Sequence, residues 1–508
     1  MATRAENVTE TKTSAGSTDL VQGLGLFDAT TIVMGSMIGS AIFIVAAEIS
    51  REVNSPGMFL VSWILAGAMT VMAAISYGEL AAMMPFAGGQ YVYLRESLGP
   101  LFGFLYGWTL FLVIQTGTIA AVAVAFGKFL GIFLPWVSEN NILLNLGGIG
   151  LFGHRLAFTF SSEQLIAILT LLGLGAVNIF GLRLGAMVQN IFTTLKVAAL
   201  LGIVAVGIWW LSTRHSAPIA SVPQPSFWQG AHWNFATVTV LFVALVGPLF
   251  AADGWNNVTF TGSEVRRPNR NLPLSLLIGT VVVCGLYFFC NLVYIHVLPF
   301  AGSATGLTPI ARGVQHVSED RVATAAMEVA IGPIGSTLMA IAIIISTFGC
   351  INGMSLAGAR VYYAMAKDGL FFPSVARVHP KYHTPAIALI VQAVWACLLT
   401  LSGTYNQLLD YVVFAVLIFY ILTILGLFRL RKTQPDAHRP YRAWGYPFVP
   451  ALYFILACAV DLAILVNKSG ESMAGLGLVA LGIPVYYFWC RSAGSRRSIT
   501  FPPDHPPN

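Results

Sequence analysis

Apolar positions in this chain come in long runs, with polar residues gathered between them. No charged residue stands between Val53 and Gly78, Ser97 and Gly127, Val329 and Ala359, or Tyr382 and Leu409. Each run can cross a hydrocarbon core of about 30 Å, which takes about 20 helical residues. The period-two alternation of a membrane β-barrel is absent from them. The pattern predicts an all-α polytopic membrane protein of twelve spans, near 27–49, 58–84, 101–134, 163–181, 187–211, 236–262, 273–299, 331–365, 384–402, 408–430, 447–467 and 472–490. Residues 1–22 are polar, carry Glu6, Glu10 and Asp19, and lack the basic start and short apolar core of a cleavable signal, so they read as a cytosolic tail.

Composition agrees: of 508 residues 56% are hydrophobic and only 9% charged, far from the balance of a soluble domain. The basic residues set the orientation. With the N-terminus inside, nineteen arginines and lysines fall on the cytoplasmic side, among them Arg95, Arg266, Arg267, Arg270, Arg360, Arg431 and Arg439. Six fall outside: Arg51, Arg155, Arg214, Arg312, Arg321 and Lys468. This positive-inside bias predicts a multi-pass protein of the plasma (inner) membrane with both termini, including a C-terminal tail over 491–508, in the cytoplasm. The net charge of +6 thus reports topology and gives no reason to expect a nucleic-acid partner.

The six cysteines lie in or at the ends of apolar spans, which leaves no extracellular disulfide to expect. Neither a metal-ligand spacing, a nucleophile motif nor a Walker loop is found, so no enzyme activity, metal or cofactor is expected, and the loops are too short for a nucleotide-binding domain. No filter-like loop or ring of charges suggests a channel.

Two spans carry residues that unwind helices. Span 1 contains Gly35-Ser36-Met37-Ile38-Gly39-Ser40-Ala41-Ile42-Phe43. Close helix packing could explain these small residues as well as an unwound stretch. Span 6 contains Gly247-Pro248, then Asp253-Gly254 and Asn256-Asn257 at mid-depth, where proline removes a backbone donor and an aspartate needs a cavity or partner. Spans 1 and 6 correspond if the chain is two repeats of five spans, and paired interruptions of this kind point to a carrier's central site. Unwinding frees N–H and C=O groups that lipid cannot satisfy. A half-helix starting near Ser40 would offer N–H groups to a carboxylate, and the helix ends opposite would offer carbonyls to an ammonium. A zwitterionic amino acid matches both.

On these segments the chain resembles the amino acid–polyamine–organocation superfamily, near its L-type amino acid transporter branch. Gly39-Ser40-Ala41-Ile42-Phe43 is similar to the family's Gly-Ser-Gly-Ile-Phe, and Phe250-Ala251-Ala252-Asp253-Gly254-Trp255-Asn256 to its Phe-Ala-Tyr-(Gly/Asp)-Gly-Trp-Asn. Tyr77–Glu96, Gly358–Gly369, Arg439–Pro447 and the loop from Glu264 to Pro273 are also similar to family segments. The resemblance implies a LeuT-type fold with inverted repeats at 23–211 and 236–430 and two added spans within 440–490. It implies a substrate carboxylate on the N–H groups of Gly39, Ser40 and Ala41, and an ammonium on the carbonyls of Met37, Phe250 and Asp253, with Ala251 in the same stretch. Phe250 would be an aromatic lid. Ala41 in place of a glycine narrows the pocket, and Ala252 in place of a tyrosine removes bulk and a hydroxyl.

Lys196 stands mid-span in an apolar segment. Snorkelling to an interface is hard from there, and intramembrane charges default to function. The resemblance implies that its ammonium replaces a sodium ion, bridging the Gly39 carbonyl and Ser346 or Thr347. Lys128 reads as a snorkelling lysine at the outer end of span 3, and Glu79 as paired with a loop or backbone group. Asp253 reads either as a tuner of cation binding or as a hydrogen-bonded cap of the break.

The expected function is sodium-independent secondary transport of neutral L-amino acids, as an exchanger or a proton-coupled carrier. The alternatives are a transporter of cationic amino acids or polyamines, and a sensor on the same fold that does not transport. Eukaryotic members of the branch join a heavy subunit through a cysteine after span 3. The loop 136–162 has none, so no disulfide-linked heavy subunit is expected.

Overall fold

The computed structural model describes residue 20 and residues 22–151, 154–180, 182–213, 222–229, 234–401 and 405–493. Among them, nine helices are long and apolar enough to cross a membrane. Three more passages complete the twelve predicted: the interrupted span 1 (Leu26–Met37, Ala41–Ile44, Ala46–Val53), the interrupted span 6 (Phe235–Ala244, Val246–Ala251, Asn257–Phe260) and the short span 9 (Ala386–Thr400). The protein is an all-α polytopic membrane protein of the LeuT type.

Local chemistry starts the helices where the sequence allows. Span 2 (Pro56–Met83) has proline in its first turn, where the missing N–H is harmless, behind Ser55, whose hydroxyl accepts from the Met58 N–H. Span 4 (Ser162–Ile179) opens with a reciprocal box between Ser161 and Gln164. Span 6 opens on Asn234, whose side chain accepts from the Thr237 N–H.

Packing follows the lipid rule, with apolar side chains outward and the polar ones inside. Leu169, Leu195, Ile208, Phe289, Leu338 and Leu462 are exposed within spans. Ser40, Thr116, Asn291, Asn352 and Lys196 are buried. The inner half of span 1 packs against spans 5 (Leu182–Thr213), 7 (Pro268–Val297) and 8 (Pro333–Lys367). A Cβ on Gly35 would lie 2.0 Å from Gln189 Nε2 and 2.3 Å from Thr193 Oγ1, so any side chain there would have to displace these two buried groups of span 5. Glu79, fully buried at the inner end of span 2, is held by Arg431 at 2.6 and 2.7 Å, by Arg439 at 3.2 Å and by the Ala443 N–H at 2.7 Å.

Two features differ from the sequence expectation. The segment after span 3 forms an antiparallel hairpin, Ile142–Leu151 with His154–Ser161, where only a loop was expected. Span 3 is not uniform: Pro100–Thr109 and Gln115–Leu130 are joined by a π-helical turn at Leu110–Ile114. Such turns are frequent at functional sites. Of the expected tails, residues 1–19 and 494–508 lie outside the described residues.

Candidate functional site

The first break lies where the glycine and serine pattern put it. The inner helix of span 1 ends at Met37, and the next begins at Ala41. Ending a helix frees its last carbonyls, and here side chains from three other spans take them up. Lys196 Nζ donates to the Gly35 carbonyl at 2.8 Å and to that of Ile38 at 2.9 Å. The Cys350 thiol lies 3.2 Å from the Ser36 carbonyl, and the Tyr287 hydroxyl 2.9 Å from that of Met37. The Ser346 hydroxyl lies 3.1 Å from the carbonyls of both Ile38 and Gly39. Every carbonyl from Gly35 to Gly39 therefore has a donor. The N–H groups do not match this: among the described residues, no hydrogen bond is donated by the N–H of Gly39 or Ala41. Filled acceptors beside open donors favour an anion at the start of the second half-helix.

Lys196 is 1% exposed, and among the described residues it forms no ion pair. Among the described residues, two carbonyl oxygens hold this buried cation. Each charge-assisted bond contributes about 1.5–3 kcal/mol.

The second break is built differently. After Ala251 the chain turns through 252–256 and resumes helix for only one turn, Asn257–Phe260. Gly254 has φ of 82°, and a Cβ on it would lie 3.2 Å from the Ser36 carbonyl, so the two interruptions touch at a position that demands glycine. Asp253 accepts a 2.7 Å hydrogen bond from the Tyr420 hydroxyl of span 10 (Tyr405–Thr433). Its side chain borders two cavities. One lies toward Thr70, Leu249, Val413 and Tyr453. The other lies toward Gln90, Tyr106, Gln115, Asn256 and Asn257, beside the π-helical turn of span 3.

The structure thus brings Met37, Gly39, Ser40, Ala41, Lys196 and Ser346 together at one break and Phe250, Ala251 and Asp253 at the other. It also corrects the expected bonding. Lys196 does not take the Gly39 carbonyl; it takes those of Gly35 and Ile38, which the last helical turn presents toward span 5. Ser346 is the span 8 hydroxyl that meets it at Ile38, whereas Thr347 bonds back to Ile343 and Ile344 of its own helix. The Met37 carbonyl, expected to await an ammonium, already has the Tyr287 hydroxyl, which also lies 3.2 Å from the Ala251 carbonyl. Sequence reasoning missed Tyr287 and Cys350, because a tyrosine or cysteine inside an apolar span gives no pattern signal.

Ion pairs tie the spans together at both ends. At the end expected to face outward, Arg51 at the end of span 1 pairs with Asp320 at 2.8 and 3.0 Å and donates to the Gln315 carbonyl at 2.7 Å. Phe250 is 5% exposed. At the end expected to face the cytoplasm, Arg360 of span 8 grips Glu264 at 3.2 and 3.3 Å with both side chains buried. Burial pushes the Glu264 carboxyl up and the Arg360 charge opposes it. The Glu264 carbonyl accepts from the N–H groups of Gly23 and Leu24, ahead of span 1, and Arg266 returns a bond to Leu24.

Two interrupted spans touching at mid-depth, with ion pairs tying the spans together at both ends, are the arrangement of a membrane carrier. The amino acid permease profile matches residues 24–483, and the chain belongs to that family. It is similar to the serine/threonine exchanger SteT of Bacillus subtilis (strain 168), with 30% identity over 92% of this chain and 97% of the relative. It is also similar to the human b(0,+)-type amino acid transporter 1, at 28% identity over 93% and 88%. The human Asc-type amino acid transporter 1 matches at 28% identity over 92% and 83%. These relatives support amino acid transport as the family activity.

Proposed function

We propose that this protein carries neutral L-amino acids across the plasma membrane by alternating access without sodium, as an exchanger or with a proton. One observation carries the reading: at the span 1 break the Lys196 ammonium sits on two carbonyls, while among the described residues the Gly39 and Ala41 N–H groups donate no hydrogen bond. The ammonium occupies the place a sodium ion would need, and the open N–H groups suit a carboxylate. Asp253 already has a phenol partner and faces amide side chains as well as apolar ones, which favours an uncharged side chain over a cationic one. Names among the relatives agree: one exchanges serine and threonine, and two others are amino acid transporters.

The roles follow residue by residue. Gly39, Ser40 and Ala41 receive the carboxylate, the carbonyls of Met37, Phe250 and Asp253, with Ala251 beside them, receive the ammonium, and the Phe250 ring closes the outer side. Lys196 and Ser346 couple the break of span 1 to spans 5 and 8. The repeats are 23–211 and 236–430, the added spans lie within 440–490, and both termini are cytoplasmic. No disulfide-linked heavy subunit takes part, since the loop 136–162 has no cysteine.

Counterflow in liposomes tests this. Labelled neutral L-amino acids should exchange at the same rate with and without sodium, and the corresponding amino amides should not compete. Uptake that vanishes without sodium, or full competition by the amides, would overturn the proposal.

A further inference from the structure

We propose that Tyr287 of span 7 is a positioning residue for the ammonium end of the substrate, its hydroxyl holding the Met37 and Ala251 carbonyls aimed at one point. This rests on the carrier reading above and adds to it a residue outside the two interrupted spans.

Met37 ends the inner helix of span 1 and Ala251 ends the outer helix of span 6. Both are C-terminal ends, where free carbonyls and the helix dipole concentrate negative charge. Their oxygens lie 2.9 and 3.2 Å from one phenolic oxygen, so they can be no more than about 6 Å apart. Two negative ends that close repel each other unless a donor stands between them. Tyr287 supplies one proton, shared by both. Each carbonyl has two lone pairs and gives at most one to the phenol, so each keeps one for a ligand N–H. The ring itself is fixed, because Tyr287 is 2% exposed and Trp63 of span 2 packs edge-on against it at 5.9 Å between centroids. Without the hydroxyl the helix ends would separate and the acceptors of the ammonium would lose their spacing.

The test compares the L-amino acid that gives the fastest counterflow with its des-amino carboxylic acid (for L-threonine, 3-hydroxybutyric acid), each as a competitor. Tyr287→Phe should raise the half-inhibition concentration of the amino acid at least tenfold and move that of the des-amino acid by less than twofold. Tyr287→His, which keeps a ring donor, should recover part of the gap, and the same ratio is read from it if the Phe variant does not reconstitute. An equal rise for both ligands would make Tyr287 a structural strut only, and no rise for either would remove it from the site. Either result overturns the proposal while wild-type counterflow stands. Loss of wild-type counterflow would instead sink the carrier reading.

Discussion

The two interruptions have similar sequence causes and different construction. At span 1, side chains from spans 5, 7 and 8 take up every carbonyl from Gly35 to Gly39. At span 6, the side chain of Asp253 sits between two cavities, held by the Tyr420 hydroxyl and the Gly254 N–H, and the helix resumes for one turn only. The first is over-determined and suits the part of a ligand that never varies, the backbone zwitterion. The second is loosely held and suits the part that does vary, as well as the movement of a gate.

Losing Lys196 should break this contrast most severely. Lys196→Met leaves the Gly35 carbonyl without its donor and should cost about 3 kcal/mol or more of stability, with exchange falling at least a hundredfold. Thermal unfolding in detergent and counterflow would check it, and a normal rate would end the idea that the first platform is rigidly set. Next comes the inner tie. Glu264→Ala strands a buried Arg360 and should cost about 3–5 kcal/mol, whereas changing both residues to alanine should restore part of the loss. Equal damage in single and double variants would show that the pair is not the closure.

Tyr420→Phe sharpens the comparison on the loose side. The hydrogen bond to Asp253 contributes about 1.5–3 kcal/mol, so the preference among substrates should change up to tenfold while sodium independence is kept. Measuring counterflow for a panel of amino acids would show this. The smallest effect is expected at the outer tie, where Arg51→Ala removes a partly exposed pair contributing about 1 kcal/mol or less. Its exchange rate should move only a few-fold, and more at low salt than at high.

Spans were legible because charge punctuates them, and the interruptions because glycine and proline are conspicuous in apolar helices. What could not be read was which atoms meet. Ser346 and Thr347 are adjacent, and only the helix rotation of about 100° between them decides which faces span 1. Lys196 was expected on the Gly39 carbonyl, one residue beyond Ile38 and one turn beyond Gly35, because a helix's last carbonyls are set by where it stops, here at Met37. Tyr287 lies 250 residues from Met37 in the chain, and no local pattern encodes their contact. The π-helical turn of span 3 is equally silent, its residues Leu110–Ile114 being plain apolar ones.

Glu79 shows why the last two spans are not an appendage. Its carboxylate is buried at the inner end of span 2 and held by Arg431, Arg439 and the Ala443 N–H, the last two from the segment leading into span 11. A chain cut after span 10 would strip that anion of two of its three counterweights. Any shortened carrier of this design would therefore have to lose the acid together with the tail.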